Sequence, residues 1–242
     1  MPESFYAADQ TRAQRVNDLF ATIAPRYDLI NDLQSFGLHR AWKRRLIQLA
    51  AVRPGAAALD LCCGTGDVAF ALADAGAQVT ACDFSEPMLQ VARRRFLNRR
   101  NRREEILTFL RADALHLPLA SNTFDLVTIA YGLRNLADFR AGLAEMLRVL
   151  KPGGKLLILD FGKPDLAPWR TAYFTYLKLF VPFFGKIFCG NSATHAYILE
   201  SLKKYPAQRG IATILADLGC REVRIENLLG GVMSINTAIK TS

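Results

Sequence analysis

The chain has 242 residues, 51% hydrophobic and 22% charged, which excludes a disordered protein and leaves room for one globular domain with a large core. Five cysteines, at 62, 63, 82, 189 and 220, form no CxxC pair and lie far in sequence from His39, His116 and His195; the spacing gives a zinc site no support and suits reduced thiols. The net charge of +9 gathers in seven arginines within residues 93–103 and in Arg40, Lys43, Arg44 and Arg45, a pattern that fits an anionic membrane surface or simply a solvated helix face. Nucleic acid is not expected as a partner, because no aromatic residues interleave with the arginines and no helix-turn-helix or RRM motif occurs.

The N-terminal MPESFYAADQTRAQRVNDLF lacks the pattern of a signal peptide, so a cytoplasmic location is expected. Residues 9–50 read as helical, with apolar spacing in RVNDLFATIA and AWKRRLIQLAA around the polar, punctuated APRYDLINDLQSFGLHR. After Pro54-Gly55 short strands alternate with helices: AALDLCC, a helix from Asp67, QVTACD, a helix from Glu86, ILTFLRA, FDLVTIAYG, a helix from Ala137, and GKLLILDF. That alternation predicts an α/β fold with a parallel sheet and right-handed crossovers. Ser85 is a candidate cap for the helix at Glu86-Pro87, and Lys151-Pro152-Gly153-Gly154 is read as the stop of the helix whose Leu136, Phe139, Leu143, Met146, Leu147 and Leu150 share a face. Asp125 in FDLV reads as structural.

Residues 165–205 form an aromatic-rich insertion. Lys178, Pro182, Gly185 and Lys186 interrupt its apolar run at 173–189, which falls short of a bilayer span. Ordinary core, the wall of a pocket for an apolar substrate and an interfacial helix all remain open for it. REVRIENLLGGVMSINTAI then reads as an antiparallel hairpin around Gly230-Gly231. One domain results: a helical cap (1–53), a cofactor-binding core (54–162), a substrate-side insertion (163–205) and a C-terminal helix and hairpin (206–242).

The stretch LDLCCGTGDVAF (59–70) carries the chemistry. Gly64, Gly66 and Ala69 satisfy GxGxx[G/A] between a strand and a helix, so a nicotinamide dinucleotide has to be weighed. Asp60 weighs against it: a carboxylate near the glycine bend repels a pyrophosphate and attracts a cation. S-adenosylmethionine is a cation without phosphate. Gly64 and Gly66 allow its methionine end close to the backbone, Asp60 compensates its charge directly or through water, Asp83 accepts from ribose hydroxyls, and Asp113-Ala114 meet adenine. Cys62 and Cys63 read as small apolar residues at a tight turn.

DLCCGTGD, ACDFS, RADALHLPL, FDLVTIAYGLRN and RVLKPGGKLLILDF resemble the successive motifs of class I S-adenosylmethionine-dependent methyltransferases. More narrowly, YDLINDLQSFGLHRAWK (27–43) and RVLKPGGKLLILDFG (148–162) are similar to the two signatures of the ubiquinone/menaquinone biosynthesis C-methyltransferases; Ile30, Gln34 and Gly162 depart from them. The resemblance implies a Rossmann-like class I methyltransferase fold, with a mostly parallel seven-stranded sheet, a C-terminal antiparallel hairpin and an N-terminal helical segment. It implies that Thr65, Asp83, Asp113, Ala114 and the backbone of Ala130 line the cofactor site; Phe84 and Met88 are counted with them.

The resemblance further implies methyl transfer to a ring carbon of a polyprenylated quinol. Demethylmenaquinol is the favoured acceptor, with a methoxy-benzoquinol or demethylphylloquinol as alternatives. Carbon is a poor nucleophile, so the acceptor has to be the reduced quinol, and the protein has to align it and stabilise a quinolate oxygen. Arg134 and Asn135, just past a strand end, are candidates for that oxygen, with Arg134 preferred; Tyr27 and His39 belong to a segment placed to close over the cofactor. His39 reads equally as a base or as a structural histidine beside Trp42.

Overall fold

The computed structural model describes residues 18, 20–22, 24–99, 106–188, 201–202 and 204–241, with side chains of the long helix described as far as 179. Arg100, Arg102 and Arg103 of the arginine run, Cys189, His195, all of residues 9–17 and the side chains of 180–200 therefore lie outside the described residues.

One seven-stranded sheet organises the chain: β1 (Ala57–Leu61), β2 (Gln78–Asp83), β3 (Leu107–Arg111), β4 (Phe124–Ala130), β5 (Leu150–Phe161), β6 (Arg221–Leu228) and β7 (Met233–Ile239). Their order is β3-β2-β1-β4-β5-β7-β6; the first five are parallel, and β7 runs antiparallel to both β5 and β6. This is the expected architecture. The apolar central strands, with Leu59, Leu61, Val127, Ile129, Leu156, Leu157 and Ile158 all buried, read as continuous hydrophobic runs because helices cover both faces.

On one face pack α2 (Leu38–Ala50), α3 (Asp67–Asp74) and α4 (Glu86–Leu97), through Leu46, Phe70, Leu72, Leu89 and Phe96. On the other lie α5 (Phe139–Val149) and α7 (Ala207–Asp217), through Leu143, Met146, Ile211 and Leu215. The chain leaves β1 toward β2 and β3, then returns to place β4 on β1's other side. The crevice between the carboxyl ends of β1 and β4 is thus the topological switch point, where such sheets bind ligands.

Several local expectations change. The punctuated stretch after Pro25 contains a helix, α1 (Tyr27–Ser35), which ends where Phe36 turns left-handed (φ 51°) before Gly37. Ser85 occupies the N-cap position of α4 without capping through its side chain; the Asp83 carboxylate accepts from the Ser85 N–H at 2.8 Å instead. The helix expected from Ala137 starts at Phe139, after Asp138, whose carboxylate accepts from the Ala141 N–H. Lys151–Gly154 form an irregularity within β5 opposite Phe124–Leu126 rather than a separate turn. Asp125 is structural as read: it accepts from the Ala57 N–H and pairs with Lys151. The insertion forms α6 (Ala167–Phe188), and no helix among the described residues is long and apolar enough to cross a membrane.

Candidate active site

β1 ends at Leu61, and the next residue already turns left-handed (Cys62, φ 53°). Two glycines make this bend possible. Gly66 holds φ at 92°, and a Cβ there would sit 2.6 Å from the Phe70 ring; Gly132, facing it from beyond β4, lies so close that a Cβ would overlap that of Cys62. The Asp83 carboxylate, at the end of β2, closes the loop by accepting from the Gly64 N–H at 2.8 Å. Burial drives the Cys62 and Cys63 thiols far above their usual range, which makes them inert apolar fillers.

Around this bend a cleft opens at the switch point. Gly64, Asp83, Phe84, Met88, Asp113, Ala114 and Ala130 line it, together with Tyr27 from the cap and Asn135 from the turn after β4. Apart from Ser85 and Tyr131, the rest of the wall is largely apolar, including Phe20, Leu61, Leu115 and Leu136. Among the described lining residues the charged side chains are carboxylates alone, and no lysine or arginine faces the space. Asp83 keeps acceptor capacity beyond its bonds from the Gly64 and Ser85 N–H groups; Asp113 accepts from the Leu115 N–H at 2.9 Å, which shapes the turn after β3.

The structure does not bring every expected residue to the wall. Asp60 stands behind it on β1, 1% exposed, one carboxylate oxygen accepting from the Thr128 hydroxyl at 2.7 Å and the other without a hydrogen-bond partner among the described residues. Burial pushes its carboxyl up to about 7, against the pull of the Thr128 bond and of Lys43. Gly66 and Thr65 shape the loop from outside the cleft. The Thr65 hydroxyl donates to Asp28 at 2.8 Å, and Arg95 donates to the Thr65 carbonyl while pairing with both Asp28 and Asp67. Lys43 completes this latch at 2.7 Å from Asp67, whose carboxyl, although burial raises it, is brought down to about 2 by the two cations. The latch ties α1 and α2 to the glycine loop and so sets Tyr27 over Gly64.

His39 lies elsewhere. It is buried on α2 with Nδ1 2.9 Å from the Ser35 hydroxyl, in a charged groove behind the glycine loop, and burial together with Lys43 lowers its pKa. The geometry removes it from the acceptor side of the cleft. Arg134 is also buried: its backbone N–H and guanidinium meet Asp160 at 3.1 and 3.5 Å, it donates to the Ser201 hydroxyl at 3.0 Å, and it lies 4.9 Å above the Phe161 ring. It sits beside the cleft rather than in its wall. Sequence reasoning missed Asp160 and Tyr131, although Tyr131 stands inside the AYGLRN motif next to Ala130; its position directly after a strand end at the switch point was the available signal.

Residues 8–240 match the ubiE/COQ5 methyltransferase family. A demethylmenaquinone methyltransferase of Desulfitobacterium hafniense is 39% identical over 227 residues, covering 93% of this chain and 89% of the relative. The ubiquinone/menaquinone biosynthesis C-methyltransferase UbiE of Cellvibrio japonicus is 39% identical over 234 residues, covering 96% and 93%. Among solved structures, a Thermotoga maritima SAM-dependent methyltransferase, described as a possible histamine N-methyltransferase, superposes with TM-score 0.63 at 17% identity, covering 93% of this chain and 99% of that one. That likeness concerns the fold.

Proposed function

Because the chain belongs to the ubiE/COQ5 methyltransferase family, we propose that this cleft binds S-adenosylmethionine and that the acceptor is demethylmenaquinol, methylated on a ring carbon. The observation that carries the reading is the wall: an apolar space whose charged groups are Asp83 and Asp113, suited to a cationic donor and hostile to a pyrophosphate. A nicotinamide reductase is set aside on the same ground and by family. Relatives named for the menaquinone reaction alone and relatives named for both quinones match this chain at 39% identity, so a methoxy-benzoquinol is the second acceptor.

The buried, half-satisfied Asp60 and the open backbone at Gly64 fit the donor: a cation near the bend compensates the carboxylate, and Gly64, in the cleft wall with only Tyr27 near its missing Cβ, permits close approach. When bound, the donor supplies a sulfonium leaving group. Asp83 would hold the ribose, Ala114 with Asp113 the adenine, and Ala130 and Gly64 the methionine portion, with Phe84 and Met88 packing along the nucleoside. Closing Tyr27 over Gly64 excludes water from the reacting end. Arg134, fixed by Asp160, Ser201 and the Phe161 ring, places a positive charge beside the site where quinolate charge develops. The donor would give its methyl to the ring carbon, which would then lose its proton to restore the aromatic ring.

The isoprenoid tail requires an apolar path, for which α6 is the proposed wall. Peripheral membrane contact is part of the reading: Leu29 on α1, Phe36 at its C-terminal end and Leu179 on α6 are 54%, 75% and 61% exposed, and α1 and α6 are joined by the Tyr176 hydroxyl donating to the Gln34 carbonyl. Co-sedimentation with anionic vesicles at low salt tests it; protein left in the supernatant counts against it. The acceptor is tested by incubating with methyl-labelled S-adenosylmethionine and either reduced demethylmenaquinone or the reduced benzoquinone. Label in menaquinone supports the first reading, label in the benzoquinone alone the second.

A further inference from the structure

We propose that Tyr131 is the hydroxyl that holds the oxygen of the acceptor ring beside the carbon to be methylated. The inference rests on the quinol reading above. Tyr131 follows Ala130 at the end of β4 and lines the cleft, yet its hydroxyl oxygen is sealed from solvent with no hydrogen-bond partner among the described residues. Its backbone sits at φ 60°, a conformation that a tyrosine adopts only under constraint. The constraint is visible on every side. Its N–H donates to the Leu159 carbonyl at 2.8 Å, its carbonyl accepts from the Asn135 side-chain amide at 3.2 Å, and its ring meets Phe161 edge-on at 6.3 Å, the same Phe161 that carries the Arg134 guanidinium on its face.

A strained residue held this firmly with an unanswered buried hydroxyl is organised for a ligand atom. The donor does not supply that atom in the reading above, because its ribose, adenine and methionine ends are met by Asp83, Asp113-Ala114 and the glycine bend. Tyr131 follows Ala130, which the reading above gives to the methionine portion, and shares the cleft wall with Tyr27 of the cap. Tyr27, Asp160 and Asp67 are the titratable groups that reach it, and Lys43 stands 5.9 Å from its ring centre; burial keeps the phenol far above its usual range, so it serves as a neutral donor and not as a base. The class of ligand is an oxygenated aromatic ring whose oxygen gains negative charge during the reaction. The phenol donates to that oxygen while the neighbouring Arg134–Asp160 pair supplies the field.

Tyr131→Phe removes the oxygen alone and is the test. The proposal expects Tyr131→Phe to lower kcat/KM for the quinol by about tenfold or more, to move the rising limb of the kcat–pH profile to higher pH, and to leave the S-adenosylmethionine Kd within about twofold and the melting temperature unchanged or higher. A Tyr131→Phe enzyme within about twofold of wild type in kcat/KM overturns the proposal, as does a donor Kd weakened in step with kcat/KM, which would assign the effect to packing. Wild-type protein that binds the donor but methylates neither quinol overturns the functional reading itself, a result distinct from a wild-type-like Tyr131→Phe.

Discussion

Replacing Asp60 by asparagine, and titrating the result, probes the charge behind the glycine bend. Burial raises this carboxyl to about 7; the Thr128 hydroxyl and Lys43 oppose the rise, and Asp83 reinforces it. A carboxyl whose pKa is raised by folding stabilises the fold below its ordinary value and loses that contribution as pH climbs through the folded value. The gap between 3.8 and about 7, at 1.36 kcal/mol per pH unit, amounts to about 4 kcal/mol of stability lost by about pH 8. The asparagine variant escapes that loss, so its melting temperature relative to wild type rises between about pH 5 and pH 8. A cationic ligand compensates the carboxylate and favours its ionised form. The apparent Kd of S-adenosylmethionine is then about tenfold weaker at pH 6, and about twofold weaker at pH 7, than at its alkaline plateau. Calorimetry across this range, in buffers of different ionisation enthalpy, reads both affinity and proton release. Taking the ratio of wild type to Asp60→Asn cancels the titration of the ligand's own ammonium group. A ratio that stays flat with pH, or equal proton release by both proteins, would refute the argument.

Asp67→Asn opens the latch that joins Lys43, Arg95, Asp28 and Thr65; the depression of the Asp67 carboxyl to about 2 corresponds to about 2 kcal/mol, seen as a lower denaturation midpoint at neutral pH. Because that pKa is lowered, its contribution is complete above pH 4 or so and fades as pH falls toward about 2, so wild type and variant converge in acid. His39→Gln leaves kcat within about twofold, since the ring faces Ser35 and not the cleft; a loss of about a hundredfold would restore it as a base. With its pKa lowered by burial, His39 costs stability as pH drops below the ordinary histidine value, and acid unfolding of the glutamine variant shows a shallower slope there. Gly132→Ala drives a methyl into Cys62 and is expected to cost about 1–3 kcal/mol and to weaken donor binding, measured by thermal melts and calorimetry.

Much of this architecture was legible because its signals are local. Strand ends that close on Asp60, Asp83 and Asp113, a glycine bend and alternating apolar strands each follow from short-range backbone chemistry, and the sheet follows from their order. What escaped depends on packing across the chain. Tyr27–Ser35 looked like a connection because Pro25 and Gly37 bracket it, yet its polar residues have partners: Asp28 joins the latch, and Asp32 and Ser35 bond Arg40 and His39 of α2. Ser85 carried a capping residue's chemistry, but Asp83 reached its N–H first. For His39, spacing placed the residue near the cap without saying which way α2 would turn its ring. Arg134 was marked as important from its motif, whereas its partner Asp160 lay hidden in an apolar strand 26 residues away. Asp60 was expected at the cleft itself, and the structure sets it one layer back on β1.

The central claim is that methyl transfer requires the electron-rich, reduced ring next to a cationic donor. Anaerobic single-turnover reactions with methyl-labelled S-adenosylmethionine, run in parallel on demethylmenaquinol and on its oxidised quinone, test this most directly. The account predicts carbon-bound label in menaquinone from the reduced acceptor and none from the oxidised one. Equal labelling of both forms, or label recovered on oxygen, would contradict it.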